Sequence, residues 1–314
     1  MRLRSILAAV FAIGLAATTA LPADAATPKN GNLVFVQFGG LVVVPGQTPA
    51  PYTTTIEGER PKFSPDGRQV AFVRQVAPHP PAWQDAIYVR TLATGVERQI
   101  FVYPFTPGTR AVSWSPDAAK LAVSNGAELN LISVATGAVS TIWTGPAGTQ
   151  IDSPAWSPDG SRIAFSTGPA IKLVHPDGTD LRTLTSTAGF WNNYPDWSPD
   201  SQKIAFVTNR FRGGNQSELV TLPRSGAGTP FRVSYKAFPQ GFFFLGTAWS
   251  PDGKKIAALQ TNATLPEDPS DPDYPDERTK VRAYLPDGSY SYSLTDPISG
   301  DDAYPGLDWA PKVS

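Results

Sequence analysis

The chain has no cysteine and only two histidines, His79 and His175, in 314 residues. Without cysteine there is no disulfide framework, so stability must come from a packed core. Two histidines are too few for a multi-histidine zinc or iron centre, and His175 sits in a turn-forming HPDG run that reads as structural. There is also no surplus of charge of one sign, with 26 Lys and Arg against 27 Asp and Glu. That balance gives no electrostatic footprint for a nucleic-acid partner. No Ser occupies a nucleophile elbow, and no Gly-rich phosphate loop joins a strand to a helix. Beyond the N-terminal segment, no stretch is apolar enough to cross a bilayer, and no long 3.6-residue periodicity announces helices.

The N-terminal segment differs from the rest. Arg2 and Arg4 precede an apolar run from Ile6 to Ala17, and the small residues Ala23 and Ala25 close it. That is the layout of a secretory signal peptide over residues 1–25, with cleavage after Ala25. The run is short for a membrane anchor and no Cys follows it to carry a lipid, so stable membrane insertion is not expected. The expected product is secreted or periplasmic, with residues 26–32 as a lead and 33–314 as a single domain.

What is present is a repeated phrase. PKFSPDGRQVAFVR starts at Pro61, VSWSPDAAKLAVS at Val112, PAWSPDGSRIAFST at Pro154, PDWSPDSQKIAFVTNR at Pro195 and TAWSPDGKKIAAL at Thr247, and a truncated LDWAPK starts at Leu307. Ser-Pro-Asp-Gly is good turn chemistry, because Pro fixes φ, Ser and Asp bond nearby backbone and Gly accepts positive φ. The aromatics of the phrase, Phe63, Trp114, Trp156, Trp197, Trp249 and Trp309, lie 51, 42, 41, 52 and 60 residues apart. Each interval holds a strand before the turn, a short apolar strand after it, and two more. Four-stranded units of this length cannot bury both faces alone, and radial stacking into an all-β propeller of antiparallel blades does so. Leu33–Val36, Leu41–Val44 and Tyr52–Ile56 supply three strands with no first strand, and Leu307–Trp309 supplies a first strand alone. Six blades are therefore expected, the last closed by N- and C-terminal strands pairing.

WSPDG followed by IAF, with Asn209-Arg210 beyond one copy, resembles the WD40-like repeats of the TolB-type six-bladed propellers across nearly the whole mature chain. Full TolB proteins carry a further domain before the propeller, and propeller-containing serine peptidases carry a hydrolase domain beside it. This chain has room for neither, so the resemblance implies the fold without handing over an envelope or peptidase role. The motif departs at Ala118, Ser201 and Ala310-Pro311-Lys312, where Gly is absent.

The motif Trp and Asp residues read as scaffold: packing between blades, and turns. If the SPDG turn lies at one rim, the long insertions collect at the other. They include Arg74 to Asp85, Gly189 to Tyr194, Thr208 to Asn215, Phe238 to Phe244 and the acidic Pro266 to Glu277. Exposed aromatics beside amides and guanidinium groups form a binding surface there, centred on Trp83, Trp191, Asn193, Tyr194, Arg210 and Phe211. Phe242 to Phe244 could equally plug the channel or pack over a blade. The expected ligand is an envelope or extracellular protein, peptide or glycan, and the expected role is binding or scaffolding. The alternative is a carboxylate-dependent secreted hydrolase or lyase using Asp85, Asp152, Asp301 and Asp302 at the channel mouth. Those carboxylates are donors that calcium takes, but their spacing matches no calcium loop, so no cofactor is assigned.

Overall fold

The computed structural model describes residues 30–37, 40–44, 52–77, 84–103, 111–211, 216–235, 243–261, 279–294 and 307–311. They form six four-stranded antiparallel sheets, and no helix occurs among them. The inner strands, in ring order, are Glu59–Phe63 in blade 1, Val112–Trp114 in blade 2 and Asp152–Trp156 in blade 3. Asn192–Trp197, Phe243–Trp249 and Leu307–Pro311 follow in blades 4, 5 and 6. Blade 6 is the latch. Its inner strand pairs with Asn30–Gln37, setting Leu33 opposite Trp309 and Phe35 opposite Leu307, and Gly40–Val44 and Tyr52–Glu57 complete it.

The core is divided into six layers, one between each pair of neighbouring blades. Period-2 alternation sorts the side chains. In blade 6, Leu33 and Phe35 face blade 5 with Leu259 and Val281, while Val34 and Val36 face blade 1 with Val70 and Phe72. Because both faces of a blade are buried, its second strand carries an unbroken apolar run, as in Ile163-Ala164-Phe165, with all three residues fully buried. Each motif aromatic packs towards the preceding blade: Trp114 with blade 1, Trp197 with blade 3 and Trp249 with blade 4.

The SPDG turn is a closed hydrogen-bond module. Ser157 Oγ donates to Asp159 Oδ1 at 2.6 Å and accepts from Arg162 N–H at 2.9 Å, and Asp159 Oδ1 accepts from Ser161 N–H at 3.0 Å. The same Ser–Asp bond recurs at Ser115–Asp117, Ser198–Asp200 and Ser250–Asp252. The fourth position is left-handed in every full copy, at φ 68° for Gly67 and also at 56° for Ala118 and 58° for Ser201. At Ser201 the departure from Gly has a reason, since its hydroxyl accepts from Asp159 N–H of the neighbouring turn at 3.0 Å.

Candidate functional site

The inner strands line a central channel with two different ends. At the loop-rich end, inner strands 1, 3 and 4 carry a β-bulge, with register shifts at Glu59/Lys62, Asp152/Ala155 and Asn193/Asp196. Arg60, Ser153 and Tyr194 occupy these bulges with φ of 53°, 49° and 54°. Each precedes a proline, which has no N–H to offer the ladder and so suits an interrupted register. The bulges set up a cross-channel bridge. Arg60 Nη1 of blade 1 donates to Asp152 Oδ1 of blade 3 at 2.6 Å, and Asn193 Nδ2 of blade 4 reaches Asp152 Oδ2 at 3.4 Å. The Tyr194 phenol is pushed up to about 12 by burial, with Arg60 opposing the shift and Asp152 adding to it.

The expected binding residues are thus distributed. Asn193 and Tyr194 belong to the inner strand of blade 4 and join Arg60 and Asp152 in one cluster. Trp191 is half-buried against the layer between blades 4 and 5, with Phe243 at 5.9 Å between ring centroids, and its N–H donates to Asn209 Oδ1 at 2.8 Å. Phe211 packs on the layer between blades 3 and 4, so both aromatics carry packing duties that their loop positions concealed. The Arg232 guanidinium lies 4.7 Å from the Phe211 ring and 3.8 Å from the Tyr235 ring, and Arg210 is exposed, 5.6 Å from Phe211. Phe244 is buried in the core and is no plug, whereas Trp83 and Phe242 lie outside the described residues. Of the carboxylates, Asp152 is held by Arg60 and Asn193, and Asp85 lies on the third strand of blade 1, opposite Gln75. Asp301 and Asp302 lie outside the described residues.

The turn-side end has a different chemistry. A cavity of about 370 Å³ opens there, walled by the five motif tryptophans and by turn prolines such as Pro116 and Pro158. Lys62, Asp196 and Asp308 also line it. Each of the three directly precedes a motif aromatic. Lys62 Nζ donates to Asp308 Oδ1 and to Leu307 O, both at 3.2 Å. Burial opposes the Lys62 charge, but Asp308 and Asp196 outweigh it and raise the pKa. Asp196 goes the other way: burial lifts its carboxyl to about 6 although Lys62 resists. None of these three residues was singled out from the sequence, and the available signal was the charge placed one residue before the repeated aromatic.

Two further kinds of bond wire the blades at this level, each recurring in alternate blades. Ser113, Asp196 and Asp308, in blades 2, 4 and 6, accept from the aromatic N–H of the next blade, at Trp156, Trp249 and Phe63. Trp114 and Trp197 Nε1, in blades 2 and 4, donate back to the carbonyls of Lys62 and Ala155 in the preceding blade.

The sheet order and channel define a six-bladed β-propeller of the TolB-like kind. No protein-family model matches the sequence, and no curated protein matches it significantly. Among solved structures the chain is similar to TolB from Acinetobacter baumannii, with a TM-score of 0.68 and 19% identity over 90% of this chain and 67% of that one. It is similar to a chain of a nidogen/laminin complex (TM-score 0.64, 14% identity, 89% of this chain and 98% of that one). It is also similar to an oligogalacturonate lyase in complex with manganese (TM-score 0.52, 15% identity, 82% and 70%). At these identities the likeness is one of fold. Among the described residues, no group of three or more His, Cys, Asp or Glu side chains is placed to hold a metal ion. No helix among them is long and apolar enough to cross a membrane.

Proposed function

We propose that this chain is an exported, non-catalytic binding propeller, periplasmic or extracellular, whose loop-rich rim recognises an envelope or extracellular protein, peptide or glycan. The contact surface is centred on Trp191, Asn193, Tyr194, Arg210 and Phe211, with Trp83 from the neighbouring insertion. The observation that carries this reading is the stack of Phe211, Arg232 and Tyr235. Glu218, almost fully buried, clamps Arg232 through both carboxylate oxygens, which fixes the guanidinium between the two rings. Tyr235 remains 49% exposed, and Arg210, also exposed, lies against the Phe211 ring. Aromatic and Arg side chains held rigid at a surface are the residue types that anchor protein partners, because little side-chain freedom is lost on contact. The nidogen/laminin similarity supports a protein ligand, since that neighbour was solved in a complex.

The test is a pull-down from envelope extract and culture medium, comparing the mature chain with Arg210→Ala and Tyr235→Ala. Both side chains are exposed, so thermal midpoints should move little while capture falls at least tenfold. Partner capture unchanged in both variants would overturn the assignment of this rim.

A further inference from the structure

The cavity at the turn-side end is separate from the rim just discussed, and its wall and floor specify a ligand. We propose that it is a binding site for an organic cation, a primary ammonium or guanidinium group, seated against Asp196 within the ring of motif tryptophans.

The argument starts from the charges. Two carboxylates and one ammonium line the cavity, so it carries one negative charge in excess when all are ionised. Asp308 is spoken for: Oδ1 takes the Lys62 ammonium at 3.2 Å and Oδ2 takes Phe63 N–H at 2.7 Å. Asp196 accepts Trp249 N–H through Oδ2 at 2.6 Å and forms no ion pair among the described residues. Its carboxyl is held in a recess walled by indole and proline rings, where low-dielectric surroundings focus the field of an uncompensated charge. The raised pKa of the Asp196 carboxyl is the expected cost of that position, and a ligand cation would remove it.

The walls favour the same class. Indole is the best of the aromatic surfaces for attracting a cation, and prolines beside it accommodate an alkyl stem. A volume of about 370 Å³ lies within the range of small-molecule pockets and is ample for an amine on such a stem. An anion would meet the excess negative charge. A bare metal ion would find two carboxylates, one of them already bonded to a fixed ammonium, and no third acidic or imidazole ligand among the described residues.

The mature chain, residues 26–314, would be titrated calorimetrically at pH 7.5 with four probes. They are spermidine, an acetylated and amidated Gly-Lys-Gly tripeptide, the same tripeptide with norleucine for lysine, and calcium chloride. Saturable binding of spermidine or of the lysine peptide is expected, with quenching of tryptophan fluorescence. Binding of the lysine peptide alone assigns the site to a peptide side chain, and binding of spermidine alone assigns it to a free polyamine. The norleucine peptide should bind at least tenfold more weakly, a comparison made on the unaltered protein. Asp196→Asn keeps an acceptor for Trp249 N–H and should weaken the cation at least tenfold. Affinity should also fall from pH 7.5 to pH 5 as Asp196 takes up a proton, with Lys62 of blade 1 and Asp308 of blade 6 the charged groups facing it. The proposal is overturned by equal binding of the norleucine peptide, by no saturable binding of either amine, or by unaltered binding in a folded Asp196→Asn protein. Calcium binding that depends on Asp196 and excludes the amines would also overturn it.

Discussion

Asp196 gives the ring a pH dependence whose direction can be worked out. Its carboxyl has a folded-state pKa of about 6 against an ordinary 3.8, so the folded chain holds that proton more tightly than the unfolded chain does. The contribution to stability is therefore greatest near pH 4, falls as pH rises to about 6, and is flat above. At about 1.4 kcal/mol per pKa unit the whole interval amounts to at most about 3 kcal/mol. The carboxyl faces an open cavity, and water there reduces the effect to about 1–2 kcal/mol. The motif aspartates act in the opposite sense. Hydrogen bonds from Ser64, Ser115 and Ser198 lower the pKa values of Asp66, Asp117 and Asp200, so their contribution is lost only as pH falls below about 4. Urea melts at pH 5 and pH 7.5 separate the two groups. Wild type should be the more stable at pH 5 by at most about 1 kcal/mol, since pH 5 to 7.5 spans just under half of the interval, and Asp196→Asn should lose that difference. Both proteins retain His79 and His175, so comparing them isolates Asp196. Identical pH dependence in the two would refute the reasoning.

Three further outcomes are expected. Ala118→Gly should raise the urea midpoint by an amount worth about 0.5–1 kcal/mol, because a left-handed Ala is relieved. Ser201→Gly should give no such gain, because it removes the acceptor for Asp159 N–H; equal gains would mean the inter-turn bond contributes nothing. Trp197→Ala, at 4% exposure, should cost about 3–5 kcal/mol, whereas half-buried Trp156→Ala should cost less, read from paired thermal and urea melts. Deleting residues 304–314 removes the inner strand of the latch blade and should cost at least about 3 kcal/mol with visible aggregation. An unchanged midpoint and slope would mean that the ends do not close the ring in solution.

The repeat made the blades legible, because a turn module that must satisfy its own hydrogen bonds leaves a strict local signature. The latch was legible too, since Leu33–Ile56 and Leu307–Trp309 are complementary fragments of one unit. The channel was not. Asn193 and Tyr194 read as loop residues because a bulged strand breaks the period-2 pattern that marks strands. Arg60 and Asp152 are 92 residues apart, and nothing local links them. Lys62, Asp196 and Asp308 stood in plain view beside the repeated aromatic, but their meaning depends on what the neighbouring blade offers. The packing of Trp191 and Phe211 depends on the adjoining layers in the same way.

The alternating bonds between blades make the ring a set of three pairs rather than six equal sectors. A blade with Ser113, Asp196 or Asp308 reaches forward to a neighbour that makes no such reach in return. Such an order can close only on an even number. A ring with one blade removed or one added would bring two blades of the same parity side by side, and two odd neighbours would leave an N–H without its acceptor. Growth or shrinkage of this propeller by gene duplication would therefore proceed most easily two blades at a time, and a chimera should be cut after an odd blade, where none of these forward bonds is severed.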